Sequence, residues 1–261
     1  MGVFECSKKE LALAEQTVGL QLYTVRDETA RDFKLTLRRV SEMGYPAVEF
    51  AGYGNIDSKD MAALLADFGL RAAGSHVALA ALEKDIEQEL NYCLDIGCTY
   101  VIIPWLAPEL RQSEQFLGLA ACLNRLGKLC KERGLVLAYH NHNFEFVQQD
   151  GKYLLDTLLD ATDPELVKLE LDTYWAAHAG VDPVAYLRHY SGRVPLIHVK
   201  DMTPERSFTE VGSGMLDIRG YCEAARGSGA HYYIVENDAP TIPSLESARR
   251  SLEYLRTNVL P

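Results

Sequence analysis

The sequence predicts an α/β fold, a single domain closed as a (β/α)8 barrel, and three observations predict it. Eight short apolar runs rich in β-formers recur along the 261 residues, spaced by roughly 25 to 40 residues, the size of one βα unit. An amphipathic helical stretch follows each run, and no low-complexity linker or shift in composition divides the chain. The phosphate loops of an open, doubly wound sheet are missing: no GxGxxG follows the first run and no GxxxxGK[ST] occurs anywhere.

The runs cover residues 18–22, 47–50, 70–73, 100–103, 135–139, 167–171, 196–199 and 232–235. Many are continuously apolar rather than alternating, as strands covered on both faces should be. Between the first two, Phe33, Leu35, Leu37, Val40 and Met43 fall near helical spacing. Leucines repeat at a near-helical period over 117–129, and 244–255 forms the closing helix. Asp163-Pro164 and Asp182-Pro183 each set a capping residue before proline, and both predict helix starts. The barrel is expected to use the whole chain, 1–261, with residues 1–16 as an N-terminal extension.

Composition narrows the function. Lys and Arg total 26 against 37 Asp and Glu, a formal charge of −11. That balance argues against nucleic acid or an anionic membrane surface as the main partner, since both require clustered positive charge. No stretch approaches the ~18 uninterrupted apolar residues of a membrane span, and 1–16 lacks the apolar segment of a secretory signal. Six cysteines without a CxxC pair fit reduced thiols. The expectation is a cytoplasmic protein acting on a small molecule, as a monomer or a homo-oligomer.

In such a barrel the chemistry gathers where strands end. The fifth run leads into Tyr139-His140-Asn141-His142-Asn143-Phe144-Glu145-Phe146, the sixth into Glu170-Leu171-Asp172-Thr173-Tyr174-Trp175, the seventh into His198-Val199-Lys200-Asp201 and the eighth into Glu236-Asn237-Asp238. Four consecutive strands thus end in a candidate metal ligand: Glu145 (or a histidine beside it), Asp172, His198 and Glu236. Neighbouring strands lie roughly 4.8 Å apart, so these side chains can meet on one ion. Three carboxylates and an imidazole form a hard, oxygen-rich set that favours Mn2+, Mg2+ or Co2+ over Zn2+. Gln21, His76, His140, Trp175 and Lys200 are candidate substrate contacts, and Glu49 ends the second run as a further polar group. Lys200 would hold a negative group or pair with Asp201 at the rim, and Trp105 with Trp175 would form an apolar wall or simply pack.

At these residues the sequence resembles the sugar phosphate isomerase/epimerase family, with its xylose isomerase-like TIM barrel. The resemblance runs from Gly19-Leu20-Gln21-Leu22-Tyr23 to the Glu236 region and includes Glu210-Val211-Gly212-Ser213-Gly214. It implies one divalent ion held by Asp172, His198, Glu236 and a group from the fifth strand. Glu145 is the first choice for that group, and His140 or His142 the alternatives. Two positions depart from the ketose epimerase branch: Trp175 and Pro204 stand where that branch carries histidine and arginine.

The expected activity is metal-dependent isomerisation or epimerisation of a sugar, sugar acid or sugar phosphate. A base takes the proton α to a carbonyl and an enediolate forms. Glu145, Glu236 and His142 are the candidate catalytic groups. The alternative keeps the first step and ends in β-elimination, as a dehydratase or a 3-keto-glycoside lyase. A sugar sensor without turnover and a DNA-repair endonuclease are weaker alternatives, the latter poorly matched to the charge of −11.

Overall fold

A computed structural model describes residues 16–111 and 113–260; the extension expected over 1–16 lies, but for Gln16, outside them. Eight parallel strands close into a barrel: β1 (Thr17–Gln21), β2 (Ala47–Phe50), β3 (Arg71–His76), β4 (Tyr100–Ile103), β5 (Val136–His140), β6 (Val167–Asp172), β7 (Leu196–Val199) and β8 (Tyr232–Val235). Each pairs with its sequence neighbour, and β1 closes the ring on β8 with Gly19 opposite Ile234. Every strand begins within one residue of its predicted run, because eight continuous apolar segments can be buried together only with helices covering their outer face.

The helices form that cover. Phe33–Met43 begins on Asp32, whose side chain accepts from the Leu35 N–H, and stops at Gly44, where φ is +97°. The predicted helices over 117–129 and 244–255 fall inside Ser113–Glu132 and Ser244–Asn258. Asp182 caps Pro183–His189 as expected. Asp163-Pro164 does not open a helix: the Asp163 carboxylate takes the Glu165 N–H at 2.8 Å in a turn that runs straight into β6. The Asp-Pro signal is shared by helix starts and tight turns, and here only three residues separate Asp163 from the strand.

Burial falls into two bodies. The larger lies between barrel and helices; the smaller fills the lumen with Ala47, Ala73, Tyr100, Ile102, Ala138, Leu196 and Ile234. Strand periodicity then dictates what stands above this plug. Two residues beyond Ala47, Ala138, Leu196 and Ile234 on their strands come Glu49, His140, His198 and Glu236, so the inward face turns from apolar to ionisable within one step. No helix among the described residues is long and apolar enough to cross a membrane, and the described cysteines are unpaired.

Candidate active site

His140 and Asp172 are the last residues of β5 and β6, His198 lies within β7, and Glu236 directly follows β8. All four are buried. Ligand-capable atoms of Asp172, His198 and Glu236 lie within 4.8 Å of one another and could hold a metal ion; so do those of His76, His140, Glu170 and His198. His198 belongs to both groups because its ring faces two ways. Nδ1 lies 2.9 Å from Glu236 Oε2, while Nε2 lies 2.8 Å from Glu49 Oε2 and 3.3 Å from Glu170 Oε2.

Lys200, two residues beyond His198, is buried with its ammonium 2.9 Å from Asp172 Oδ2, 2.5 Å from Glu236 Oε2 and 3.1 Å from Asp238. It does not pair with Asp201, whose carboxylate accepts the backbone N–H groups of Met202, Gly212, Gly214 and Leu216 and so folds the glycine-rich loop. Burial opposes the Lys200 charge, but Asp172, Glu236 and Asp238 outweigh it and hold the ammonium protonated. Burial likewise raises Glu236, yet Lys200 and His198 bring it well below the usual carboxylate range. Asp238 is pushed up to about 7 by burial and by Glu236.

The histidines divide by their neighbours. His76 lies 3.0 Å from Glu49 and 2.9 Å from Glu170; against the pull of burial these carboxylates raise it to about 9. His198 is raised for the same reason, by Glu170, Glu49 and Glu236. His140 and His142 are held neutral, His142 at about 3, by burial and then by surrounding positive charge. His142 Nδ1 is buried and accepts nothing.

A cavity of about 610 Å³ opens over this floor at the C-terminal end of the barrel. His76, His140, His142, Lys200, Glu236 and Asp238 supply its polar lining, and Trp105, Trp175 and Phe208 supply aromatic faces. The Trp175 ring stands 5.6 Å from both His142 and Phe208, and its backbone N–H is capped by Asp172.

Two expected site residues stand elsewhere. Glu145 does not join the metal-capable groups: it is buried in the turn after β5, where it accepts from the Tyr139 hydroxyl at 2.7 Å and the His142 N–H at 2.8 Å. The 3-10 turn Phe144–Phe146 directs it back along the strand, and burial raises its carboxyl to about 7. His140, on the strand itself, brings Nε2 to 3.7 Å from Asp172 Oδ2, while its metal-capable neighbours are His76, Glu170 and His198. Gln21 does not line the cavity; its amide donates to Glu49 at 2.7 Å. Conversely Glu170 and Asp238, absent from the candidate residues, join the site. The two-residue step from Glu170 to Asp172, like those from His198 to Lys200 and from Glu236 to Asp238, is the signal that places them on a shared face.

Geometry of this kind defines a class, and comparison with known proteins agrees. A family model described as a xylose isomerase-like TIM barrel matches residues 37–258, and the chain belongs to that family. Among curated relatives, an inosose dehydratase of Geobacillus kaustophilus is 30% identical over 189 residues, covering 64% of this chain and 61% of the relative. One from Mesomycoplasma hyopneumoniae is 27% identical over 268 residues, covering 86% and 88%. A solved sugar phosphate isomerase/epimerase from Parabacteroides distasonis superposes with a TM-score of 0.82 at 27% identity, covering 95% of this chain and 96% of that one.

Proposed function

We propose that this chain is a metal-dependent enzyme that removes the proton α to the carbonyl of a polyhydroxylated substrate and returns a proton to give an isomer or epimer. What carries the reading is one cavity whose lining sets His142, an imidazole whose Nδ1 has no partner, beside Glu236, a member of the metal-capable set Asp172, His198 and Glu236 whose other two members are buried outside that lining. The donor set suits a hard divalent cation such as Mn2+, Mg2+ or Co2+. Asp172 Oδ2 supports the fit, because it is buried and accepts no hydrogen bond, though Lys200 stands 2.9 Å away. Asp172, His198 and Glu236 would hold the ion, with His140 as fourth neighbour in place of Glu145. When bound, such an ion acts as a Lewis acid that favours negative charge on a substrate oxygen.

The chain's own residues do the rest. His142, neutral across the physiological range, receives the proton at Nδ1. To give an isomer it delivers that proton to the neighbouring carbon, with a hydroxyl proton passing between the two enediolate oxygens. An epimer instead takes its new proton on the opposite face from a second acid, for which Asp238 lines the same cavity. Glu145 holds the His142 backbone and so fixes where that ring points. Lys200 supplies a permanent positive charge beside Asp172 and Glu236. Trp175 and Phe208 exclude water on one side, and the buried, unpartnered Trp175 Nε1 offers a donor to a substrate hydroxyl. His76, on the opposite rim, orients another.

A second reading, dehydration by β-elimination, is favoured by one observation: a further acid, Asp238, lines the same cavity. The inosose dehydratases among the chain's relatives agree with it. Incubating the enzyme with Mn2+ in D2O against a panel of pentoses, hexoses, their phosphates and inososes separates the two. Solvent deuterium at a stereocentre of an isomeric product supports the first reading. An unsaturated product absorbing in the ultraviolet supports the second, and full turnover after exhaustive chelation would refute both.

A further inference from the structure

Beneath the floor just described lies a second set of ionisable side chains, two of which, Glu49 and Glu170, the proposed reaction leaves unused. Glu170 precedes Asp172 by two residues on β6, so it faces the same lumen roughly 6.6 Å deeper. Glu49 on β2 joins it, and it fits because β3 carries Gly74 opposite: a Cβ there would sit 2.7 Å from Glu49 Oε1 and 2.5 Å from Ile102. We propose that Glu49, His76, His140, Glu170 and His198 form a second cation site, one layer deeper than the Asp172–His198–Glu236 set, that takes an imidazole-preferring ion such as Zn2+ or Co2+.

Geometry carries the argument: one ligand-capable atom from each of His76, His140, Glu170 and His198 lies within 4.8 Å of the others. Glu170 Oε2 lies 2.9 Å from His76 Nε2, 3.0 Å from His140 Nδ1 and 3.3 Å from His198 Nε2. Glu49 Oε2 lies 3.0 Å from His76 Nε2 and 2.8 Å from His198 Nε2. These are five close approaches among three ring nitrogens, and each nitrogen carries at most one hydrogen. At least two approaches therefore set lone pair against lone pair, or share one hydrogen between two carboxylates. The other oxygens, Glu49 Oε1 and Glu170 Oε1, are buried and accept nothing. In the metal-free protein the crowding is met by hydrogens shared from the protonated His76 and His198 rings. It is the expected arrangement for ligands on one ion: bonds of about 2.1 Å at right angles set donor atoms about 3.0 Å apart.

Charge sets what the ion would replace. Asp172, Glu170, Glu49 and Glu236 are all buried, and Lys200 together with His76 and His198, which these carboxylates hold protonated, balances them, so an entering cation would take the place of imidazole hydrogens. Three imidazoles beside two carboxylates form a softer donor set than the outer one, hence the preference for Zn2+ or Co2+. His76 and His140 line the mouth cavity, which gives an ion a way in. His198 turns one nitrogen to each site, so holding both ions at once would require the ring to release both of its nitrogen-bound hydrogens to solvent and bridge as an imidazolate.

Metal-free enzyme titrated with Co2+, followed by its visible absorption and by elemental analysis after desalting, tests the site without reference to turnover. The expected result is two ions per chain in the wild type, one in Glu170→Gln and one in Asp172→Asn, with different visible spectra for the two variants. If Glu170→Gln does not fold by circular dichroism, His76→Asn at the rim reads the same loss. A wild type that binds one ion, lost in Asp172→Asn and kept in Glu170→Gln, would overturn the inner site and leave the outer one standing. Two ions in a protein that turns over nothing would leave the inner site intact and count only against the proposed reaction.

Discussion

Replacing Lys200 by Met removes the ammonium from two buried carboxylates and a half-buried one, at 2.9 Å from Asp172, 2.5 Å from Glu236 and 3.1 Å from Asp238. The side chain volume is nearly kept, so packing changes little and the electrostatic loss dominates. Breaking a buried pair by deleting one partner costs about 3–5 kcal/mol. Part of that loss is offset because the lysine no longer has to be desolvated, so we expect about 4 kcal/mol in EDTA. For a chain of this length that is a fall in Tm of roughly 8–16 °C. Metal should narrow the gap. The ammonium sits on the oxygens that the outer ion would use, so an ion entering the wild type must displace it, whereas in Lys200→Met it need not. The variant should then bind Mn2+ at least tenfold more tightly, which at saturation adds about 1.4 kcal/mol to its metal-induced stabilisation. Urea unfolding of both proteins in EDTA and across a Mn2+ series measures both effects. Equal stability in EDTA, or parallel Mn2+ responses, would show that Lys200 does not guard the metal position.

Other perturbations reach different parts of the site. Asp172→Ala and His198→Ala are each expected to lose the outer ion and turnover together, read by elemental analysis of the desalted protein beside the activity assay. Glu145 is held at about 7 against an ordinary 4.5, chiefly by burial. The folded state therefore binds that proton more tightly than the unfolded chain, and stability falls as pH rises from about 4.5 through about 7, by about 3 kcal/mol. Glu145→Gln should remove this slope, and urea midpoints at pH 5 and pH 8 that run parallel in both proteins would contradict it. Gly214→Ala places a Cβ against the Asp201 carboxylate and 2.5 Å from the Met202 carbonyl; overpacking of about 1–3 kcal/mol should appear in thermal unfolding. Trp175→Ala should raise KM more than it lowers kcat, because the ring walls the cavity without exchanging protons; a loss confined to kcat would give it a chemical role.

The legible elements are those whose signal is local. Continuous apolar runs mark the strands, and a two-residue period marks which side chains face inward, so spacing alone identifies Asp172, His198 and Glu236 as strand-end groups and leaves His140 as an alternative to Glu145. Where a local signal has two structural meanings, as at Asp163-Pro164, sequence reasoning picks the wrong one. Glu145 fails differently: its spacing places it near the site, but the turn after β5 gives its carboxylate to Tyr139 and His142. Gln21 is committed to Glu49 in the same way.

By itself, then, the sequence determined the closed parallel barrel and the polar character of its mouth, because both follow from the alternation and spacing of residues near one another along the chain. Only the tertiary structure decided which groups share a hydrogen, an ion or a cavity. Glu49 and His198 meet at 2.8 Å across 149 residues of chain, and that meeting is set by barrel closure and by the depth each side chain reaches in the lumen. Neither quantity leaves a mark on the spacing of the residues involved.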